Sequence, residues 1–428
     1  MLYSRFSLAP IRLVECPRDA MQGLSHFIPT AHKVRYLNAL LKCGFYSVDC
    51  ASFVSPRAVP QMRDSAEVLA GCNRALLRGE NAPKLSVVVA SQAGFKRAIE
   101  TSILSTIGYP LSCCERFQEL NTKKSIAVAL DDITQMQNAV LDANAEMLSG
   151  IGLPLGVSKK KELVVYLSMA FGNPYGEDYS LDVVERLASQ LVSIGVRTIT
   201  LADTVGVSEP QMTFDLFKRL QNKFPEVSFG AHFHSNTATS KEKILAALEA
   251  GCERFDSALG GMGGCPFAKK DHLVGNVATE TVLQALEERN LLPATIGRKQ
   301  IKECVLLKQQ IFGVTVKDML LSQSLHDEKC FAQLCQEHFK LYDVDDNGML
   351  DYEGFRSSML GVFDELGCEA PSEEKIRSSF HKVDLQNLGR ITVDAYMMGA
   401  RRLLLKRLEF FSKLKCDKNC SYHRAIAA

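Results

Sequence analysis

The sequence has almost no net charge. Lys and Arg number 50 against 49 Asp and Glu, a formal +1, so there is no basic excess with which to attract a nucleic-acid backbone. Long apolar runs are also missing. None approaches the roughly 18 residues that would cross a bilayer, and no transmembrane segment is expected. Leu8 to Val14 is short, mostly apolar and continues directly into what reads as the first core strand, which leaves no room for a removable targeting peptide. The 14 cysteines lack the regular spacing of a disulfide framework. Cys16, Cys50 and Cys252 lie in or beside strand-like runs, where the residue behaves as a small hydrophobe. That usage predicts a reducing compartment: the cytoplasm, with an organelle matrix as the alternative.

What the sequence does contain is a rhythm. At 428 residues the chain is too long for one ordinary core, so two domains are expected. From Ile11 to about Asn290 one unit recurs: a β-branched run, a polar loop, an amphipathic helix and a glycine. In the clearest copy Ser180 is placed to cap a helix, and Val184, Leu187, Leu191 and Ile194 share one face. Gly195 then ends the helix, and Thr198 to Asp203 follows as a strand apolar enough to be buried on both faces. Eight strands are expected near residues 11–17, 46–51, 84–90, 103–108, 162–169, 198–203, 228–234 and 254–259. Strands alternating with helices imply a parallel α/β sheet, and eight such units point to a (β/α)8 TIM barrel, with a doubly wound sheet as the alternative. The expected boundaries are a barrel over 1–315, a linker over 316–327, a helical domain over 328–415 and a tail over 416–428.

A barrel of this kind places its active site where the strands end. The first strand delivers Arg18 and Asp19, the second Asp49, the fifth Ser168, the sixth Asp203 and Thr204, and the seventh His232 and His234. After the eighth come a glycine-rich loop with Cys265 and then Asn276. His232 and His234 are two apart on a strand, so they share a face. One histidine near a strand end is ordinarily a hydrogen-bonded core residue. A same-face pair with a carboxylate such as Asp19 makes a mixed nitrogen and oxygen site suited to Mg²⁺ or Mn²⁺. The glycines before Cys265 permit a loop that opens, closes and lets backbone approach a ligand.

The segments Glu15-Cys-Pro-Arg-Asp-Ala-Met-Gln22, Ser52 to Met62, Leu201-Ala-Asp-Thr-Val-Gly-Val207, His232-Phe-His234 and Gly260-Gly-Met-Gly-Gly-Cys-Pro266 resemble those of the 3-hydroxy-3-methylglutaryl-CoA lyase family. The resemblance runs from about residue 10 to about residue 315, in order and at similar spacing. It implies that Asp19, His232, His234 and Asn276 hold a divalent cation. It also implies that Arg18 contacts the substrate carbonyl and that Cys265 is the catalytic thiol; on the chemistry of the bond to be broken, His232 is the candidate acceptor of the hydroxyl proton. Asp49, Ser168, Asp203 and Thr204 are expected to bind substrate, an acyl-CoA. A homodimer is an open expectation. The chain departs from the family pattern at Ala20, Gly23, Leu24, Asp49, Ser235 and Asn236, and keeps every cation ligand. Rival readings are a metal aldolase or Claisen-type acyltransferase, which would have no need of a Gly-Gly-Cys-Pro loop, and a non-catalytic calcium-responsive protein.

After Gly313 the pattern turns helical. Asp343, Asp345, Asn347, Met349 and Asp351 follow an EF-hand loop through its ninth position, with Gly348 at the sixth. A second loop begins at Asp384 and has Leu388 where a ligand oxygen belongs. An EF-hand pair is therefore expected over about 328–400. Position twelve of the first loop is Gly354, so Ca²⁺ binding there is expected to be weak or absent.

Overall fold

The computed structural model describes residues 10–24, 27–149, 160–235, 239–263, 275–312, 328–343, 345, 347–365, 370–384 and 387–402. Cys265, the expected linker and the expected tail lie outside the described residues. The chain divides into two compact units, one formed by residues 1–24 and 29–305, the other by 25–28 and 306–428.

In the first unit eight parallel strands close into a barrel in sequence order. They are β1 (Arg12–Glu15), β2 (Ser47–Ser52), β3 (Lys84–Val88), β4 (Thr106–Ser112), β5 (Glu162–Ser168), β6 (Thr198–Asp203), β7 (Ser228–Phe233) and β8 (Arg254–Ser257). β8 closes the ring on β1 with Arg254 beside Arg12 and Ser257 beside Glu15. Helices between the strands cover the outside, as a parallel sheet buried on both faces requires. β6 is buried at all six positions.

The repeat unit read from the sequence forms as expected. The helix Leu181–Ile194 starts at Ser180, whose side chain accepts from the Val183 N–H. It stops at Gly195, whose φ of 99° is a left-handed cap that most side chains would strain. Val184, Leu187 and Leu191 are buried, while Ile194 is half-buried at the fraying end.

The fourth strand is a correction. The sequence suggested 103–108, and the strand spans Thr106–Ser112. The strand includes Pro110, although proline cannot donate to a ladder and argues against a central strand. Here the β3 side of the ladder ends at Gly108, whereas pairing with β5 continues to Ser112. Beyond Gly108 the strand is an edge on one side, and a missing N–H is tolerated there. Among the described residues no helix is long and apolar enough to cross a membrane.

The second unit contains helices Glu328–Tyr342, Tyr352–Glu365 and Glu373–Val383. Two three-residue strands, β9 (Met349–Asp351) and β10 (Arg390–Thr392), pair antiparallel with Leu350 opposite Ile391. Phe339, Tyr342, Phe355, Ile376 and Phe380 pack with those two aliphatic residues into one small core. Ser372 caps its helix by accepting from the Lys375 N–H.

Removing the Ser180 cap tests this account of the barrel helices. Ser180→Ala is expected to cost about 1 kcal/mol, read as a lower urea midpoint with unchanged circular dichroism before the transition.

Candidate active site

The site grows from the ends of β1, β7 and the segment after β8. Pro17 opens the short helix Pro17–Gln22, where its fixed φ suits the first turn. That turn buries Arg18 and Asp19 at the barrel mouth. Asp19 is held from three directions. Its Oδ1 accepts from Arg18 Nη1 at 2.8 Å and from Gln22 Nε2 at 2.7 Å. Its Oδ2 accepts from Asn276 Nδ2 at 2.7 Å. Burial opposes ionisation of Asp19, but Arg18, His232 and His234 outweigh it and bring the pKa down to about 2. The group is therefore a carboxylate across the physiological range.

Arg18 is clamped in turn. Its Nε and Nη2 donate to Asp49 Oδ2 at 3.0 and 2.6 Å, and its Nη1 also reaches Gln22 Oε1 at 2.9 Å. Burial pushes the Asp49 pKa up despite Arg18. The guanidinium is thus fixed before any substrate arrives, which is what electrostatic preorganisation requires.

The two histidines converge as their spacing predicts. The His232 and His234 rings lie 5.2 Å apart, and one atom each from Asp19, His232 and His234 falls within 4.8 Å of the others. Burial favours neutral His232, yet Asp256 and Asp19 outweigh it and raise its pKa. His234 bridges to Asn276 through the backbone, which places Asn276 beside the same cluster. With the Asn276 amide nitrogen committed to Asp19 and to the Met262 carbonyl at 2.9 Å, its oxygen remains as the donor atom for a cation. Two imidazoles, a carboxylate and an amide oxygen, all buried, form a donor set fit for a divalent ion.

The cluster opens into a cavity of about 360 Å³. Arg18, Asp19, Ser168, Thr204, His232 and His234 form its polar wall, while Val54, Val59, Phe117 and Leu120 are among its apolar lining. The other expected residues stand behind this wall. Asp203 accepts from the Val207 and Ser208 N–H groups, the Ser208 hydroxyl and Lys243 Nζ, so its carboxylate ties down the turn after β6. Thr204 Oγ1 accepts from the Met169 N–H and holds Met169 at φ 58°, a conformation that costs a non-glycine residue roughly 1–3 kcal/mol.

Sequence reasoning missed two participants. Gln22 was quoted within a motif without a role, although it stands three residues from Asp19 on one helical turn. Asp256, with Oδ2 3.5 Å from His232 Nδ1, was passed over as part of a core strand. The signal was there: Arg254 and Asp256 put two charges on one face of a buried strand.

Gly263 has φ 102°, and a Cβ there would lie 2.6 Å from Asn276 Nδ2 and 2.8 Å from the Asp19 carbonyl. Gly263→Ala is therefore expected to displace both ligands and weaken Mn²⁺ binding about tenfold or more. Electron paramagnetic resonance titration of free Mn²⁺ measures this directly.

The chain is similar to several proteins of one named activity. Hydroxymethylglutaryl-CoA lyase of Bacillus subtilis is 30% identical over 275 residues, which is 64% of this chain and 84% of that protein. A Pseudomonas aeruginosa lyase, named for 3-hydroxy-3-isohexenylglutaryl-CoA and for hydroxymethylglutaryl-CoA, is 30% identical over 277 residues, 64% of this chain and 84% of its own. An HMG-CoA lyase from Acinetobacter baumannii, solved with coenzyme A and 3-methylmalate, superposes with a TM-score of 0.61 at 27% identity, covering 76% of this chain and 97% of that one. The profile of the HMGL-like family matches residues 12–306, and the chain belongs to that family.

Proposed function

We propose that this protein is a divalent-cation-dependent lyase that cleaves 3-hydroxy-3-methylglutaryl-CoA to acetyl-CoA and acetoacetate. The observation that carries the reading is the convergence of Asp19, His232 and His234 with a clamped Arg18 on one cavity wall. The names of the relatives, and the coenzyme A bound to one of them, support an acyl-CoA substrate.

Asp19, His232, His234 and Asn276 would hold the cation, which would supply Lewis acidity that lowers the pKa of the substrate's tertiary hydroxyl. Two imidazole donors favour Mn²⁺ over Mg²⁺, which prefers an all-oxygen shell. The hydroxyl proton passes to water at the cavity mouth: His232, expected to take it, has no lone pair left once one nitrogen holds the cation and the other carries the ring proton. The C–O bond becomes a ketone, the C2–C3 bond breaks, and its electron pair passes to the thioester fragment as an enolate. Arg18 faces the thioester oxygen and balances that charge. The Cys265 thiol then protonates the enolate carbon to give acetyl-CoA. Ser168 and Thr204 orient the acyl group from the opposite strands. Asp49 acts through Arg18, and Asp203 through the turn that carries Thr204.

We assign the second unit as an EF-hand pair. The antiparallel contact of β9 with β10 supports this, as does Asp343, whose carboxylate accepts from the Asn347 and Gly348 N–H groups. The first loop offers Asp343, Asp345, Asn347, the Met349 carbonyl and Asp351 to Ca²⁺, with Gly354 depriving it of the usual bidentate carboxylate. Every cysteine whose side chain is described is a free thiol, in keeping with a cytoplasmic or organelle-matrix location.

Acetoacetate release from 3-hydroxy-3-methylglutaryl-CoA with Mg²⁺ or Mn²⁺ tests the lyase. Turnover is expected in the parent, with a loss on the order of 10²–10⁴-fold in Cys265→Ala. No turnover by folded, cation-loaded parent would redirect the search to a different acyl-CoA. Calorimetric titration with Ca²⁺ is expected to give a dissociation constant no tighter than about 10⁻⁴ M. Submicromolar binding would instead make the second unit a calcium sensor.

A further inference from the structure

Beneath His232 the barrel interior holds a second pair of charges that the chemistry above leaves unused. In the ladder between β7 and β8, His232 lies directly beside Asp256, and Gly230 lies beside Arg254. Period-two alternation puts all four positions on the interior face. Gly230 leaves the room that Arg254 fills, since a Cβ there would come within 2.8 Å of Arg254 Cδ. Arg254 Nε then stands 3.4 Å from Asp256 Oδ1, and His232 Nδ1 stands 3.5 Å from Asp256 Oδ2. The Asp256 side chain is fully buried, and neither oxygen makes a hydrogen bond of ordinary length. A carboxylate in that position is costly unless its lone pairs are used. Its two neighbours are one permanent cation and one ring nitrogen.

We propose that Asp256 is a positioning residue: it takes the proton-bearing Nδ1 of His232 and thereby turns Nε2 toward Asp19 and His234 as the cation ligand. The inference rests on the cation reading of that cluster given above. Imidazole has two nitrogens, and the hydrogen bond made by one decides which is free for a metal. At 3.5 Å the contact is slightly longer than an N–H···O bond, and a small ring rotation closes it. Cys16, His232 and Asp256 also present atoms within 4.8 Å of one another, but the Arg254 guanidinium beside Asp256 repels a second cation there. The carboxylate thus serves the ring and not a metal of its own. It also raises the basicity of the ligand nitrogen, a role in which such partners contribute about 10–100-fold to affinity.

The test uses the full chain and Mn²⁺ alone. Paramagnetic resonance titration is expected to show Asp256→Ala binding Mn²⁺ about 10–100-fold more weakly than the parent. Asp256→Asn, whose Oδ1 still accepts from Nδ1–H, is expected to recover most of that loss. Turnover at saturating Mn²⁺ should show a reduced kcat with little change in KM. Should Asp256→Ala fail to fold, the unsubstituted protein decides: histidine-selective ¹⁵N spectra of the Mg²⁺-loaded chain, with His232→Gln for assignment, are expected to show a protonated Nδ1 and a coordinated Nε2. Equal Mn²⁺ affinity in parent and Asp256→Ala, no recovery in Asp256→Asn, or the opposite tautomer would each overturn the proposal. Two equivalents of tightly bound metal per chain, both lost in Asp256→Ala, would do the same by making Asp256 a ligand. Failure of the parent to bind Mn²⁺ at all would remove the cation reading, and this inference with it.

Discussion

The pairing of β8 with β1 is the contact on which the site depends. Four register pairs from Arg12–Arg254 to Glu15–Ser257 close the ring. They bring Asp19, near the start of the chain, within hydrogen-bonding distance of Asn276, 257 positions later. An open parallel sheet of the same elements would leave those two residues at opposite edges. Closure also supplies what a cluster of buried charges needs: fixed partners on every side and little water. The polar mouth of the barrel is a consequence of topology first and of residue chemistry second.

Within that frame the charges alternate. Asp49, Arg18 and Asp19 run across the barrel mouth as far as the two imidazoles, and beyond these Asp256 and Arg254 form the next pair inward. Each buried ion lies against one of opposite sign, so the desolvation cost is offset locally by geometry. Removing one member would leave its neighbour unpaired, which is why these residues contribute to folding as well as to chemistry. Arg18 illustrates the double duty. Three of its nitrogens are already engaged by Asp49, Asp19 and Gln22, so the guanidinium is both a structural tie and a positive charge fixed on the cavity wall.

Period and punctuation made most of the barrel legible. Ser180 and Gly195 mark a helix because a hydroxyl can accept from an N–H two or three residues on and because glycine tolerates positive φ. These are local facts that a linear sequence carries. β4 runs past the expected end through Pro110, which a strand paired on both sides would not admit, and only the three-dimensional ladder reveals that its β3 partner has already ended. The convergence of the two histidines was legible for a similar reason: His232 and His234 share a face in any strand. Asp256 was not, since its partner lies 24 positions away in sequence and directly alongside in the register. Asp203 was legible as a strand-end carboxylate, but its four donors come from a turn and a distant lysine that no spacing rule anticipates.

The last link joins the Asp19 carboxylate to the backbone that follows β8. The main chain after β8 is fastened twice at its start: the Leu259 N–H donates to Glu15 Oε1 at 2.8 Å, and the Gly260 N–H donates to the Glu280 carboxylate at 2.9 and 3.1 Å. Three residues later Gly263 passes so close to Asp19 and Asn276 that a methyl group would not fit. Asn276 Nδ2 donates both to Asp19 and to the Met262 carbonyl. One amide therefore sets the position of the Asp19 carboxylate and of the backbone at Met262. Any shift of Asn276 on ligand binding must be felt by that backbone, because a hydrogen bond cannot be lengthened at one acceptor without altering its geometry at the other. A displacement of Asn276 is therefore shared between the Asp19 carboxylate and the backbone at Met262, with no conformational signal needed beyond this common donor.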